Sequence, residues 1–262
     1  MIRIHIVGSG RSGTTLFHQM MRAGFEIDGH SSFEMKMIRE PEGELRTFCS
    51  KRPRDLLTVG RYIDLNPDLW VICCERDPRD VAVSHHNNAP NEYWIGLQSW
   101  KESYAAAKRL AGHPRFKIVR YENFVRRPDE VQDELAAWMP FLKRKRLFSQ
   151  FHEEVQPEKR AEAALGSLRP VSDRSVGSWR REKARLAGEL QQHGPVTAEL
   201  IELGYEKDDA WLKELDGVTP DVRASVHEKP VTPWRRVVRW FRGHTRVWRY
   251  SLRYRRRRAE HA

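Results

Sequence analysis

The chain has 262 residues, enough for one sizeable α/β core with appendages. Its net charge of +11 is unevenly placed: Trp234 to Ala262 hold eleven arginines and one acid, so the rest is near neutral and implies no polyanionic partner for the body. No apolar run reaches the length of a membrane span, and Cys49, Cys73 and Cys74 show no C-x-x-C or Cys/His metal spacing. The expectations are a reducing cytosol, no signal peptide before the first strand pattern, and no metal.

In chain order, Ile2 to Val7 is a β-branched run ending in glycines and predicts a buried strand. Thr14 to Ala23 has helical spacing, with Leu16, Met20, Phe17 and Met21 on one side. Phe25 to Ile27 predicts a weaker second strand, Leu69 to Cys74 a third and Phe116 to Arg120 a fourth. Cys73 and Cys74, as strand neighbours, should face opposite ways. Helices are expected over Asp80 to His86, Tyr93 to Leu110, Pro128 to Met139 and Val196 to Leu203, the last stopped by Gly204. Strands alternating with helices predict a central parallel sheet covered on both faces, with a P-loop-like first turn. The expected division is a catalytic domain over 1–215, a linker over 216–233 and a basic amphipathic tail over 234–262.

The turn after the first strand, "IHIVGSGRSGTT", admits three anion-binding readings. Gly8, Gly10 and Gly13 fit the G-x-G-x-x-G dinucleotide spacing, and Glu26 or Asp28 could serve as the ribose acid about 20 residues on. Arg11, however, would crowd a pyrophosphate approached by backbone alone. A nucleotide-hydrolase loop needs lysine where Thr14 stands. In the third reading the amides and hydroxyls of Arg11-Ser12-Gly13-Thr14-Thr15 ring a tetrahedral anion at a helix N-terminus, with Arg11 as a fixed cation.

Downstream, "VICCERDPRDVAVSHH" puts Arg76 at the tip of a strand and Ser84 eight positions on, where both can face one phosphate. A solvated cluster of Arg76, Asp77, Arg79 and Asp80 is the competing account.

Together the R-S-G-T-T loop and the R-x₇-S pair resemble the PAPS-dependent sulfotransferases, with arginine in the loop as in the tyrosylprotein and carbohydrate-directed members. The resemblance implies that Gly10, Arg11, Ser12, Gly13, Thr14 and Thr15 hold the 5′-phosphosulfate of PAPS, that Arg76 and Ser84 grip its 3′-phosphate, and that PAP is the product, with no metal. "FKIVRYENFVRRPDEV" is similar to a family strand end and places Tyr121 near the adenine; "DRSVGSWRRE" is similar to a late segment that closes over the donor, with Arg174, Ser175 and Trp179 as contacts. The resemblance spans roughly Ile2 to Tyr205. Arg11 is expected to stabilise charge in an in-line sulfuryl transfer. Relatives with the arginine loop imply a glutamate base; Glu34 is preferred and His30, with a better-suited ordinary pKa, competes. His85 and His86 could line an acceptor pocket. The acceptor is expected to carry a hydroxyl on a glycan, a lipid-linked group or a small molecule. A non-catalytic nucleotide- or nucleic-acid-binding protein and a Rossmann-type NAD(P)-dependent oxidoreductase are the alternatives.

Trp234 to Arg258 interleaves arginines with apolar residues at helical spacing. That suits an anionic membrane surface, giving a cytoplasmic protein held at the inner face, or packing on the catalytic domain; nucleic acid ranks below both.

Overall fold

Alternation governs the first strand, β1 (Ile2–Gly8): Ile4 and Ile6 enter one apolar layer and Val7 another, so it is buried on both faces. A computed structural model of the chain describes residues 1–86, 89–153, 159–165, 169–228 and, beyond these, 245, 247, 248, 250–252 and 254. After the glycine loop, α1 (Thr14–Gly24) lays Phe17, Met20 and Met21 on the first layer. There follow β2 (Gly29–Glu34), β3 (Thr47–Lys51), the single turn α2 (Leu56–Val59) and β4 (Leu69–Glu75). Next come α3 (Pro78–Ala82), a hairpin of β5 (His85–His86) and β6 (Ala89–Tyr93), and α4 (Leu97–Lys108). The chain continues through β7 (Phe116–Arg120), α5 (Tyr121–Arg126), α6 (Pro128–Trp138), α7 (Lys159–Leu165), α8 (Lys183–His193) and α9 (Thr197–Glu202).

The main sheet has five strands in the order β2-β3-β1-β4-β7, every pair parallel. From β1 the chain goes first to one side and then to the other, so the strand order reverses beside β1. In open parallel sheets, ligands bind at the carboxyl edge of such a reversal.

The expected parallel sheet is present, with local differences. Phe25 makes only an isolated bridge with Arg144, and the second strand lies further on, at β2. The strand β3 was not anticipated, because T-F-C-S-K shows no apolar alternation. The helix expected to Asp80–His86 stops at Ala82, and the chain turns into the β5–β6 hairpin. Gly204, left-handed at φ 73, follows α9 as expected. Cys73 and Cys74 do face opposite layers, and all three cysteines are free thiols.

The described part of the expected linker is bound to the domain. Asp221 N–H donates to Ala184 O at 2.8 Å, and buried Arg185 donates to Ser225 Oγ at 2.6 Å and to the Arg223 carbonyl. Gly188 lets this segment approach, since a β-carbon there would meet the Asp221 backbone. Most of the expected tail lies outside the described residues. Those described between Thr245 and Tyr254 are helical; Tyr250 is buried against Tyr62 and hydrogen-bonded to Asn66, and the Tyr254 hydroxyl donates to Asp68. Trp248 and Leu252 are exposed.

Candidate active site

Four strands deliver residues to one edge of the sheet. β1 ends in the glycine loop, β3 in Lys51, β4 in Glu75 with Arg76 next, and β7 in Arg120 with Tyr121 next. A cavity of about 400 Å³ opens there, lined among others by Arg11, Gly13, Thr14, Thr15, Arg76 and Ser84.

The loop is shaped by close packing. Gly13 is left-handed at φ 85, and a β-carbon on it would run into the rings of Tyr121 and Phe124. It begins α1, whose first turn has no side-chain cap and no acid among the described residues, so its N–H groups face the cavity as an anion donor set. Arg11 is itself left-handed at φ 66, a conformation non-glycine residues seldom adopt and one that turns its side chain across the cavity mouth. Ser12 is fully buried and donates its hydroxyl to Ser9 O at 2.8 Å. Its single proton therefore fastens the turn, and Ser12 does not line the cavity. Gly10 packs toward Ile95 and does not line the cavity.

Arg76 and Ser84 close the opposite side and touch the loop directly. Arg76 Nη1 donates to Arg11 O at 3.0 Å, Nη2 to Ser175 O at 2.6 Å, and the guanidinium lies 4.3 Å above the Tyr121 ring. Arg11 Nε donates to Ser84 Oγ at 2.9 Å. Two guanidinium groups thus share one wall. Burial, and then the charge of Arg76, lower Arg11 to a pKa of about 10. Arg76 Nε is buried and has no partner among the described residues. An anion between the two arginines would answer both deficits.

The late segment divides. Ser175 lines the cavity, Arg174 is exposed and outside it, and Trp179 is buried beneath the segment. Trp179 meets Trp211 edge-on and lies between the guanidinium groups of Arg79 and Arg180, so it anchors the segment and does not line the cavity. Asp80, not anticipated from the sequence, pins the turn: it accepts from Gly177 N–H, Ser178 Oγ and Trp179 N–H at 2.8, 3.0 and 3.0 Å.

The two expected bases are differently placed. Glu34, exposed at the end of β2, lies 3.5 Å from Lys51 Nζ, which donates to Thr15 Oγ1 at 2.9 Å. Thr15 lines the cavity; Glu34 reaches it only through this chain. His30 lies outside the cavity with its ring 5.9 Å from that of His18, and burial holds it at a pKa of about 4, too weak a base for the role expected of it. His85 lines the cavity 3.9 Å from Glu182; the His86 side chain lies outside the described residues.

Lys51 is the principal residue that sequence reasoning missed. It is 3 % exposed, sits over the Phe33 ring at 4.7 Å, and stands between Glu34 and the loop. Its signal was the lysine at the end of an unrecognised strand.

Residues 29–140 match the family model described as Sulfotransferase family, a span that starts beyond the glycine loop and includes Lys51, Arg76, Ser84 and Tyr121. Among solved structures, a sulfotransferase domain from the curacin biosynthetic pathway is similar at a TM-score of 0.51 and 16% identity, over 72% of this chain and 96% of that one. A mouse sulfotransferase complexed with PAP is similar at a TM-score of 0.43 and 16% identity, over 77% of this chain and 88% of its own. No curated protein matches. The sulfotransferase resemblance read from the two motifs is borne out, and the first of these structures shows the same fold.

Proposed function

We propose that this chain transfers a sulfonate group from PAPS to an acceptor hydroxyl. One observation carries the reading: the half-buried Arg11 and the buried Arg76, and the Ser84 hydroxyl, meet at the mouth of an uncapped helix, with Arg76 Nε unpartnered among the described residues. That donor set fits a nucleotide bearing phosphate at both ends. The α1 amides, Thr14 and Thr15 would hold the 5′ end, and Arg76 with Ser84 the 3′-phosphate. Arg11, which donates to Ser84 at the cavity wall, would be the cation beside the bond that breaks. The Tyr121 ring, which lies beneath Arg76, is the proposed neighbour of the adenine.

The donor supplies an activated sulfonate, and the remaining work is done by the chain. The acceptor oxygen forms its bond to sulfur as the bond from sulfur to the phosphate oxygen breaks, and the charge that develops there falls to Arg11. Arginine keeps its proton, so it stabilises charge and does not act as an acid. Lys51 holds Thr15 in place and keeps Glu34 beside the loop. Glu34 is the proposed base for the acceptor proton, and His85 is the second group that could accept it. The exposed Trp248 and Leu252 beside the docked Tyr250 keep an anionic membrane surface as the proposed partner of the tail.

The test is calorimetry with PAP and with AMP, followed by transfer of label from radioactive PAPS to a panel of hydroxyl acceptors. PAP should bind at least about 10-fold tighter than AMP, the worth of one charge-assisted contact, and Arg76→Ala should erase the difference. Equal binding of PAP and AMP, or binding of NADH in their place, defeats the reading.

A further inference from the structure

Behind the anion loop, three side chains outside the proposed mechanism converge from three elements. His18 lies one turn into α1, His30 is on the edge strand β2, and Cys49 is on β3. The register pairs His30 directly with Cys49, which puts both on one face of the sheet, and α1 packs over that face. One ligand-capable atom from each of the three lies within 4.8 Å of the other two.

Their surroundings leave one nitrogen of each ring without a partner among the described residues. His18 is 1% exposed and Cys49 fully buried. His18 Nε2 and His30 Nδ1 are both buried without a hydrogen-bond partner among the described residues. An unpaired buried polar atom costs about 1–3 kcal/mol, so two side by side in an apolar layer need a reason. Burial, with cations nearby, holds His18 at a pKa of about 3 and His30 at about 4. An imidazole nitrogen with no hydrogen-bond partner offers its lone pair to a metal when the ring is neutral. The other such cluster, Glu189, His193 and Glu228, is already committed, since its carboxylates accept from Leu97 N–H and Ser99 N–H at the start of α4.

We propose that His18, His30 and Cys49 bind one thiophilic d¹⁰ cation, and that copper(I) is favoured over zinc(II). On binding, the Cys49 thiol gives its proton to solvent and its sulfur bonds to the metal, while each imidazole donates a lone pair without losing a proton. The charges that act on the cluster are cationic: Arg3 on Cys49, Lys51 and Arg22 on His18, Arg22 and Lys145 on His30. Copper(I) with one thiolate is neutral in this setting, whereas zinc(II) leaves a buried positive charge among cations. Three donors also complete a trigonal copper(I) site, while zinc(II) would require a fourth. Ligands about 2.0–2.3 Å from a metal lie about 3.5–4 Å apart, so the set must close slightly. Of the two strands involved, β2 is held on one side only, as an edge strand whose register shifts between His30 and Glu34.

The test uses the reduced full-length protein without oxygen, titrated into the coloured copper(I)–bicinchoninate complex, with a parallel titration into a zinc-loaded chromophore. One equivalent of copper(I) should be withdrawn by the native protein and none at that affinity by Cys49→Ser or His30→Gln, and zinc(II) should bind more weakly. His30 is half-buried on an edge, so its variant should fold even where the Cys49 change does not; circular dichroism and PAP binding check this. No copper(I) or zinc(II) uptake, or full uptake by both variants, overturns the site. Tighter zinc(II) than copper(I) overturns the charge argument.

Discussion

Arg76, just past β4, and Arg79, in α3, stand three residues apart, are both buried, and are treated in opposite ways by the fold. Arg79 lies between Trp179 and Trp211 and is matched by two carboxylates, Asp77 at 2.8 Å and Glu206 at 2.5 Å. Arg185 is matched likewise, by Glu189 beside it. Arg76 has backbone carbonyls, a tyrosine face and Asp80 only at 3.9 Å, and it shares a cavity wall with a second arginine. A buried cation that the protein has neutralised is part of its structure. One that the protein has left open is a place for a ligand's charge.

Replacing the two arginines in turn puts this contrast at risk. Arg79→Met strands Asp77 and Glu206 and should lower the unfolding free energy by about 3–5 kcal/mol, measured in urea. Arg76→Met removes an incompletely compensated charge and should leave stability within about 1 kcal/mol of the native protein. Equal losses at both positions would mean that Arg76 is structural and that the cavity wall is not poised for an anion.

The loop sharpens the same contrast in catalytic terms. Arg11→Ala should reduce sulfotransfer by about 10²–10³-fold, the usual worth of one preorganised donor at a developing charge. PAP affinity should fall much less, because Arg76, Ser84 and the α1 amides remain. Kinetics with saturating PAPS, alongside calorimetry, separates the two effects. If affinity and turnover fall equally, Arg11 only holds the nucleotide.

What the sequence disclosed was local. The R-S-G-T-T loop and the pair Arg76 and Ser84 lie in short contiguous texts whose strand–turn–helix setting fixes their geometry, and they do meet. Residues whose role depends on tertiary neighbours were hidden. Lys51 reads as a surface lysine until β3 is paired between β1 and β2. Asp80 reads as one acid among charges until its carboxylate is seen to accept from residues almost a hundred positions away. Trp179 looked like a lid residue, yet the arginines flanking it draw it beneath the segment. The His18, His30 and Cys49 cluster has no spacing signature, since helix packing and strand register assemble it.

β1 shows a third way to keep a basic group inside, by leaving it uncharged. His5 is fully buried on the face opposite Ile4 and Ile6, with Nδ1 2.8 Å from Ser50 Oγ and Nε2 3.2 Å from Asp55 Oδ2. Burial lowers its pKa below the ordinary 6.5, outweighing the upward pull of Asp55. Below that value the unfolded chain takes up a proton that the folded one refuses. Stability is therefore whole above pH 6.5 and is lost as pH falls toward the folded pKa, at up to about 1.4 kcal/mol per pH unit. The lowered Asp55 adds a loss of the same sign further into acid. His5→Gln keeps polar atoms beside Ser50 and Asp55 but cannot titrate, so urea unfolding at pH 7.5, 6 and 5 should give a shallower decline than the native protein. Other histidines contribute to both curves and cancel in the difference. Parallel curves would show that His5 accepts its proton in the folded state, and that its pairing with Asp55 belongs with the compensated cations after all.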